Sequence, residues 1–210
     1  MRVSKEVMAK NNAKIVSEAA RLYREKGIES TSVADVMKAA GLTHGGFYRH
    51  FESKEDLALC AIRKAFDDVT DSFVADLELR DGRTALKNYV DKYLSREHVF
   101  GIGSGCPLAS LSEEVNRASS TYAEELSDGR ERLLNLMVVA LTGSHLSNHA
   151  SFSDKKMSTI KNDVTDLLVL LLGSLVVART MEKTDDIEAV LDRGRHKAQK
   201  LLNSLTVYLS

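Results

Sequence analysis

The sequence predicts an all-α protein with a three-helix N-terminal domain that contains a helix-turn-helix, followed by a larger helical domain. Three observations support this prediction. The chain of 210 residues has a single proline and no tryptophan, and 43% of its residues are hydrophobic. Its apolar residues recur every three or four positions, which is the period of an amphipathic helix. Residues 32–51 form two short amphipathic segments separated by a turn that contains glycine.

The first short helix carries start and stop signals at its two ends. Ser32 can cap it, and Asp35 lies three residues later, where its carboxylate can complete a capping box. Gly41 suits the left-handed backbone that ends a helix, and Leu42 can anchor the turn in the core. The predicted buried face consists of Val33, Val36, Met37 and Ala40.

The second short helix is predicted to run from His44 to Phe51, with Thr43 as its cap. Phe47 and Phe51 are predicted to face inward against the preceding helix. The residues that they are expected to contact are Ile15, Ala19 and Leu22. Two helices joined by a turn of about three residues form a helix-turn-helix, whose second helix fits the major groove of DNA.

The order of residues from Gly41 to Leu57 resembles the DNA-binding domain of the TetR/AcrR family of bacterial transcriptional regulators. The shared run is G-L-T-x-G-x-F-Y-x-H-F-x-S-K-E-x-L, and the resemblance covers about residues 11–63. A long ordered match of this kind is far more specific than a lone short motif. The resemblance implies a homodimeric repressor that binds an inverted-repeat operator and is released by a small-molecule ligand.

The expected DNA contacts divide into phosphate contacts and base contacts. Tyr48 and His50 can donate hydrogen bonds to phosphate oxygens, and the resemblance implies the same role for Lys54. Arg49 is assigned to base reading, because arginine suits guanine through a bidentate pair. His44 is assigned to base reading as well, although it also suits a phosphate.

Glycines at positions 45 and 46 are poor helix formers, so helix propensity alone would not select them. Without side chains they let the backbone come close to phosphates and bases. The complete predicted DNA-binding set is Thr31, Ser32, Thr43, His44, Gly45, Gly46, Tyr48, Arg49, His50 and Lys54.

The charge distribution agrees with a DNA-binding N-terminus. Residues 1–64 contain 12 Lys and Arg against 8 Asp and Glu, a net charge of +4, and the remainder carries −5. A basic N-terminal quarter attached to an acidic remainder favours contact of one end with nucleic acid. The excess is modest, and a solvated basic face would have a similar composition.

The remaining chain is predicted to be helical throughout. Ser53, with Asp56 as its box partner, is expected to cap a long helix that runs from Lys54 towards Leu79. A break at 81–83 precedes a helix that starts at Thr84. The later predicted features are a flexible break at 101–105, a helix over 107–115 with Pro107 at its first position, a helix over about 121–147 loosened near Asp128-Gly129, a surface loop over 151–156, and helices over about 158–181 and 185–208.

The last two helices are predicted to form a dimer interface. Segment 167–178 is apolar on nearly every side but too short to cross a bilayer, and Gly173 would let another helix approach closely. Our hypothesis is that both helices pair with their copies across a two-fold axis. The alternative is that they only close the core of the monomer. The predicted interface residues are Leu171, Gly173, Leu175, Leu191 and Leu202.

The family resemblance also implies a ligand pocket, lined by helices between residues 84 and 181. Its candidate residues are Phe66, Tyr89, Tyr93, Phe100, Cys106, Leu108, Leu111, Leu133, Met137 and Leu141, most of which would be core residues in any helical domain. Cys106 precedes Pro107 at a helix start, where the helix dipole can lower the pKa of a thiol. Cys106 is therefore either a sensor of oxidants or electrophiles or a packing residue, and buried cysteines usually only pack.

Other residues that could belong to a site are interpreted as structural. His145 and His149 have the spacing of a two-histidine metal edge, but no third ligand is evident. The acidic pairs Glu113-Glu114 and Glu124-Glu125 are expected to be solvated. We therefore expect no metal, no cofactor and no catalytic site.

These observations predict two functional domains. Residues 1–55 are assigned to DNA binding, with the helix-turn-helix at about 32–51, and residues 56–210 to regulation and dimerisation. The expected partners are operator DNA, a small-molecule inducer and a second copy of the chain, with no membrane. Without an apolar run after a basic start, and with two cysteines that form no disulfide or metal pattern, a cytoplasmic location is expected.

Two other classes of protein remain as alternatives. One is a thiol-dependent enzyme built around Cys106, for which no histidine or acid has a suitable spacing. The other is a helical interaction module whose DNA-binding function has been lost. The intact Gly45, Tyr48, His50 and Lys54 argue against the second alternative.

Overall fold

The computed structural model describes residues 5–118, 120–143 and 153–205. Over these residues the chain forms nine α-helices and two short 3-10 helices and no β-strand, which confirms the predicted all-α class. The α-helices are α1 (Lys5–Lys26), α2 (Val33–Ala39), α3 (Lys54–Leu79), α4 (Gly82–Tyr93), α5 (Arg96–Phe100), α6 (Pro107–Ala118), α7 (Ser120–Thr142), α8 (Asp154–Arg179) and α9 (Thr184–Leu205). The 3-10 helices are His44–Arg49 and Ile102–Ser104.

The chain folds into two compact units. The first, called here the head unit, is drawn from Met1–Asp68 and Ile102–Gly129. The second, called here the C-terminal unit, is drawn from Val69–Gly101 and Arg130–Ser210. The head unit therefore contains α6 in addition to the predicted DNA-binding segment. The functional boundary between residues 55 and 56 is a different division and stays a prediction.

The core of the head unit forms around α1. Ile15, Ala19 and Leu22 of α1 are buried in one apolar cluster together with Phe47 and Phe51, as predicted. The two phenylalanine rings stack with their centroids 5.7 Å apart. Burying a phenylalanine side chain contributes about 1.5–3 kcal/mol, so these two rings hold the 44–49 segment firmly on the core.

Helix α7 crosses α3 at a glycine. A Cβ atom at Gly129 would overlap the buried ring of Phe66, so only glycine lets the two helices approach this closely. The predicted loosening near Asp128-Gly129 is wrong, because α7 is continuous from Ser120 to Thr142. The glycine serves packing here rather than flexibility.

The C-terminal unit contains a second close approach of this kind. A Cβ at Gly82 would overlap the carbonyl oxygen of Ala140, so α4 contacts the backbone of α7. Helix α4 begins at Gly82, earlier than the predicted Thr84, because the carboxylate of Asp81 accepts a hydrogen bond from the Thr84 N–H at 3.0 Å. Asp81 is thus the cap of the helix rather than part of a break.

Helix α5 was not predicted, and two side chains hold it in the C-terminal unit. The Ser95 hydroxyl accepts from the His98 N–H at 3.3 Å, and the Arg179 guanidinium donates to the carbonyls of Val99 and His98 at 3.2 and 3.1 Å. His98 donates from Nδ1 to the Tyr93 carbonyl oxygen at 2.7 Å. Burial, with a further contribution from the charge of Arg179, lowers the pKa of His98 below 6.5.

Helices α8 and α9 pack closely along their length. Their buried face includes Leu171, Leu175, Leu191 and Leu202, each no more than 3% exposed. The glycine of α9, Gly194, lies against α8, where an added Cβ would stand 2.8 Å from the Ser174 hydroxyl oxygen. These leucines therefore close the core of the same protomer.

One predicted helix has the expected bounds, and the boundaries of several others shift. Helix α3 has the predicted bounds, and the Asp56 N–H donates to the Ser53 hydroxyl at 3.0 Å. The Asp56 carboxylate accepts from the Glu52 N–H at 3.1 Å and not from the Ser53 N–H, so the predicted box is only half formed. The break at 101–105 contains a 3-10 turn over Ile102–Ser104, and α6 begins at Pro107 as predicted but continues to Ala118. The described part of α7 ends at Thr142, and α8 already begins at Asp154. The predicted 151–156 loop is therefore wrong from Asp154 onward. His145, His149, residues 151–152 and the end of the last predicted helix lie outside the described residues.

Candidate nucleic-acid interface

Both caps of α2 have the predicted geometry. At the N-terminus the Asp35 N–H donates to the Ser32 hydroxyl at 3.1 Å, while the Ser32 N–H donates to the Asp35 carboxylate at 3.0 Å. The Ser32 hydroxyl also donates to the Asp35 carboxylate at 2.6 Å, and this bond, together with the one from the Ser32 N–H, holds the pKa of Asp35 below its usual value. At the C-terminus Gly41 has φ +67°, and the N–H groups of Gly41 and Leu42 donate to carbonyls of the last turn at 3.0 and 2.9 Å. This Schellman motif fixes the direction in which the chain enters the next segment.

Residues 44–49, called here the recognition segment, form a 3-10 helix rather than the predicted α-helix. The N–H groups of Gly46 and His50 each donate three residues back, to the carbonyls of Thr43 and Phe47, at 3.0 and 2.8 Å. The Thr43 hydroxyl makes no capping bond, which corrects its predicted role as a side-chain cap. Two consecutive glycines weaken the α-helix by about 1 kcal/mol each relative to alanine, which favours the tighter, shorter helix.

The recognition segment presents its polar side chains to solvent. His44 and Arg49 are exposed, and Tyr48 is 75% exposed. Beneath them Phe47 is fully buried, and its ring meets the Tyr48 ring edge to face at 5.2 Å. The structure therefore brings the predicted base-reading and phosphate-binding side chains together on one outward surface, with His50 half-buried at its end.

The two glycines of the recognition segment have different surroundings. A Cβ at Gly45 would meet no atom within 4 Å, whereas a Cβ at Gly46 would stand 3.6 Å from the Met37 side chain. Neither glycine has a positive φ. Neither backbone conformation nor packing within the chain therefore requires glycine at position 45.

The turn between α1 and α2 lies beside the start of α3. Lys54 donates from Nζ to the Glu29 carbonyl oxygen at 3.3 Å, so its ammonium group lies at this turn. Thr31, also predicted to contact phosphate, is only 1% exposed, and its hydroxyl donates to the Gly27 carbonyl at 2.7 Å. Burial therefore gives Thr31 an internal structural role and removes it from the accessible contact set.

Glu114 is the residue of this region that the sequence analysis missed. Its two carboxylate oxygens accept from the backbone N–H groups of Ile28 and Glu29 at 2.9 and 2.7 Å. A Cβ at Gly27 would stand 2.8 Å from the same carboxylate. The prediction that both members of the Glu113-Glu114 pair are solvated is therefore wrong for Glu114, which fixes the turn after α1 to α6.

Glu125 also departs from the expected solvated state. Its side chain is 12% exposed, and it forms an ion pair with Arg63. Glu124 is exposed, as predicted. No short-range pattern distinguishes Glu114 or Glu125 from its neighbour, because their partners lie 86 and 62 residues away in sequence.

The ten candidate ligand-binding residues fall in both compact units. Phe66, Cys106, Leu108 and Leu111 belong to the head unit, and the others to the C-terminal unit. Within the C-terminal unit the rings of Tyr89 and Tyr93 lie 5.8 Å apart, and Phe73 packs on Tyr89 at 5.1 Å. Leu133, Met137 and Leu141 are buried, whereas Phe100 is 62% exposed.

Cys106 is 2% exposed at the start of α6 and is screened from solvent. The same part of the head unit contains the buried Arg24, whose guanidinium donates to the carbonyls of Gly103 and Ala65 at 2.7 and 3.3 Å. Burial lowers the pKa of Arg24, and the nearby charge of Asp68 opposes that shift. The buried position of Cys106 agrees with the packing interpretation of this residue.

The predicted dimer-interface residues separate into two groups. The four leucines at 171, 175, 191 and 202 are buried in their own protomer, whereas Gly173 is exposed and a Cβ there would meet nothing within 4 Å. Val169, Val176 and Val177 lie on the same helix and are 63, 46 and 47% exposed. A shallow groove of about 360 Å³ lies between this surface and α9.

Two short helices, Val33–Ala39 and His44–Arg49, joined by a short turn that contains Gly41, are the arrangement of a helix-turn-helix protein. The family profile described as bacterial regulatory proteins, tetR family, matches residues 15–60. Residues 15–60 of the chain are therefore identified as TetR-family sequence.

Individual relatives support the same assignment. The chain is 27% identical to the transcriptional repressor DhaR of Mycobacterium sp. strain GP1 over 53% of this chain and 56% of DhaR. It is 21% identical to the transcriptional repressor NemR of Escherichia coli K12 over 84% of this chain and 88% of NemR. The chain thus spans only about half the length of DhaR.

Solved structures show that the fold is shared over the full length. A TetR-family regulator from Cytophaga hutchinsonii superposes with a TM-score of 0.71 at 18% identity, covering 97% of this chain and 98% of that one. In the part of the chain that the structure describes, no helix is long and apolar enough to span a membrane. The same residues contain no group of three metal-ligating side chains.

Proposed function

We propose that the protein is a homodimeric transcriptional repressor that binds an inverted-repeat DNA operator and is released by a small-molecule ligand. The observation that carries the proposal is the recognition segment, whose polar side chains face solvent while Phe47 and Phe51 anchor it. DhaR and NemR are named transcriptional repressors, which favours repression over activation.

DNA binding is supported by the chemistry of the exposed surface. Arg49 offers a bidentate donor to guanine, and Tyr48 and His50 offer donors to phosphate. Lys54 adds a positive charge beside the turn after α1, and the Thr43 hydroxyl is left uncommitted by the helix cap. Gly45 keeps the backbone accessible at the start of the segment, where partial positive charge favours anions.

Dimerisation is supported by the exposed surface of α8. Three valines and Gly173 form an apolar strip, and the adjoining groove reaches Arg193 and Lys197 on α9. An apolar strip of this kind favours association with a second copy. A two-fold dimer presents two recognition segments, which match the two halves of an inverted repeat. Gly173→Leu should convert the dimer to monomer in sedimentation, whereas an unchanged dimer mass would contradict this interface.

Ligand binding is assigned to the C-terminal unit. The aromatic group of Phe73, Tyr89 and Tyr93, in a unit that also buries Leu133 and Met137, suits an apolar or aromatic molecule. Such a ligand releases the repressor only if it prefers the state with weak DNA affinity, and typical coupling is about 1–3 kcal/mol.

The test is a DNA-binding titration at several salt concentrations. Phosphate contacts make the affinity fall steeply as salt rises. Lys54→Ala should weaken binding to every sequence, whereas Arg49→Ala should mainly relax the preference for one base pair, by about 1–3 kcal/mol. Lys87→Ala serves as the control, because Lys87 pairs with Asp91 in the C-terminal unit. Binding that does not depend on salt, or equal behaviour of the two variants, would contradict the proposed contacts.

A further inference from the structure

Helix α1 extends well beyond the core that it anchors. It begins at Lys5, but its first buried residue is Ile15, and none of residues 5–14 is buried. At 1.5 Å per residue this extension is about 15 Å long. It also precedes the segment that matches the family, which begins at residue 15. Packing within the head unit therefore does not explain the extension.

The extension is basic. It contains Lys5, Lys10 and Lys14 against a single acidic residue, Glu6. Lys10 and Lys14 lie four positions apart and so share one face of the helix, where like charges destabilise each other. Within the described residues neither lysine has a carboxylate or carbonyl partner. Two adjacent, uncompensated ammonium groups on one helix face favour an anionic partner.

The position of Lys14 connects this face to the helix-turn-helix. Its Nζ lies 3.4 Å from the point where a Cβ of Gly41 would stand. Gly41 ends α2, and the recognition segment begins three residues later, at His44. The basic face of α1 therefore continues directly from the turn of the helix-turn-helix, with Lys14 at the turn and Lys10 one helical turn further out.

We propose that Lys10 and Lys14 form a second phosphate-contact surface, which extends the DNA interface from the turn of the helix-turn-helix along α1. The inference rests on the proposed function, because it takes duplex DNA as the partner. Charge complementarity and continuity with the recognition segment both favour the sugar–phosphate backbone as occupant. Since phosphates are the same in every sequence, this surface adds affinity without adding base preference.

The test measures the affinity of the full-length protein for a fluorescein-labelled duplex over a range of salt concentrations. For the double variant Lys10→Ala/Lys14→Ala, the slope of log K against log salt should become shallower by about 1.8, because each phosphate contact contributes about 0.9. Binding at low salt should weaken for operator and non-operator sequences by the same factor. Alanine keeps the helix, so circular dichroism should show an unchanged fold.

The matched control is Lys155→Ala/Lys161→Ala, which removes two exposed positive charges from α8. A general effect of net charge would change the slope in both double variants, and that result would overturn the assignment to α1. An unchanged slope in Lys10→Ala/Lys14→Ala, with steep salt dependence in the wild-type protein, would overturn the inference and leave the proposed function intact. If the wild-type protein binds no duplex at any salt concentration, the proposed function fails, and the inference fails with it.

Discussion

The substitution Gly45→Ala adds a single methyl group, which should raise the stability of the fold and weaken DNA binding. A Cβ at this position meets no protein atom within 4 Å, and the backbone φ is not positive. Alanine therefore fits without strain, and by restricting the unfolded chain it stabilises the protein by about 0.4–1 kcal/mol. For a chain of this size the expected rise in Tm is about 1–4 °C.

The same methyl group should weaken DNA binding. It would stand on the outer surface of the recognition segment, where we propose that the backbone approaches the duplex. Losing one well-fitted contact typically costs about 1–3 kcal/mol, or roughly 5- to 150-fold in Kd. Stability and affinity should thus change in opposite directions, which a variant that merely perturbs the fold cannot do.

The matched control is Gly46→Ala. Its Cβ would stand 3.6 Å from the Met37 side chain and 3.9 Å from the Thr43 hydroxyl, which is ordinary contact on the inner side. Because φ at Gly46 is not positive either, this variant should gain a similar stability. Its DNA affinity should fall less than that of Gly45→Ala, because the added methyl group points inward. The assays are thermal unfolding and fluorescence anisotropy with a labelled duplex. A Tm that falls by several degrees in Gly45→Ala, or an unchanged Kd, would refute the reasoning.

Three further variants test other parts of the structure. Gly129→Ala should lower the free energy of unfolding by about 1–3 kcal/mol, because its methyl group overlaps the Phe66 ring. Glu114→Gln should weaken DNA binding and destabilise the head unit by about 1–3 kcal/mol, because one backbone N–H of the turn after α1 loses its acceptor. His98→Asn keeps an N–H donor but cannot titrate. Because the pKa of His98 is lowered by folding, the folded protein binds a proton at this imidazole more weakly than the unfolded chain does. The stability of the wild-type protein therefore falls as the pH drops below 6.5, and His98→Asn should reduce that fall.

Each of these three variants has either a control variant or a result that would contradict the expected effect. Thermal unfolding checks Gly129→Ala, and a Tm equal to that of the wild type would mean that the close helix crossing is wrong. Glu113→Gln is the control for Glu114→Gln, because Glu113 is 83% exposed and pairs only at the surface with Arg117. For His98, Tm is measured across the acidic range, and identical pH profiles would exclude this residue as a source of acid sensitivity.

Local signals predicted the helix-turn-helix well. The cap of α2, its glycine C-terminus and the start of α3 each depend on residues within about four positions of one another. The first two are present as expected, and Ser53 caps α3, although Asp56 accepts from Glu52 and not from Ser53. The inward position of Phe47 and Phe51 also follows from helical spacing. The recognition segment differs from the predicted α-helix because two consecutive glycines lower its α-helix propensity, which favours the 3-10 form.

Long-range packing could not be predicted in this way. Thr31 is surrounded by polar neighbours in sequence but is buried, and Glu114 finds its partners in a turn 86 residues away. Gly129 resembles a weak point in a helix until the Phe66 ring is placed beside it. The leucines of α8 and α9 illustrate a related ambiguity, because an apolar helix face has the same pattern whether it meets its own chain or a second copy.

The most direct test of the account is selection of bound duplexes from a random-sequence library by the full-length protein. The account predicts enrichment of an inverted repeat whose half-sites lie about 34–36 Å apart or a multiple of that distance, as expected for a two-fold pair of recognition segments. Enrichment of a single unrepeated site would contradict the dimer. No enrichment of any sequence would contradict the assignment of the recognition segment to operator binding.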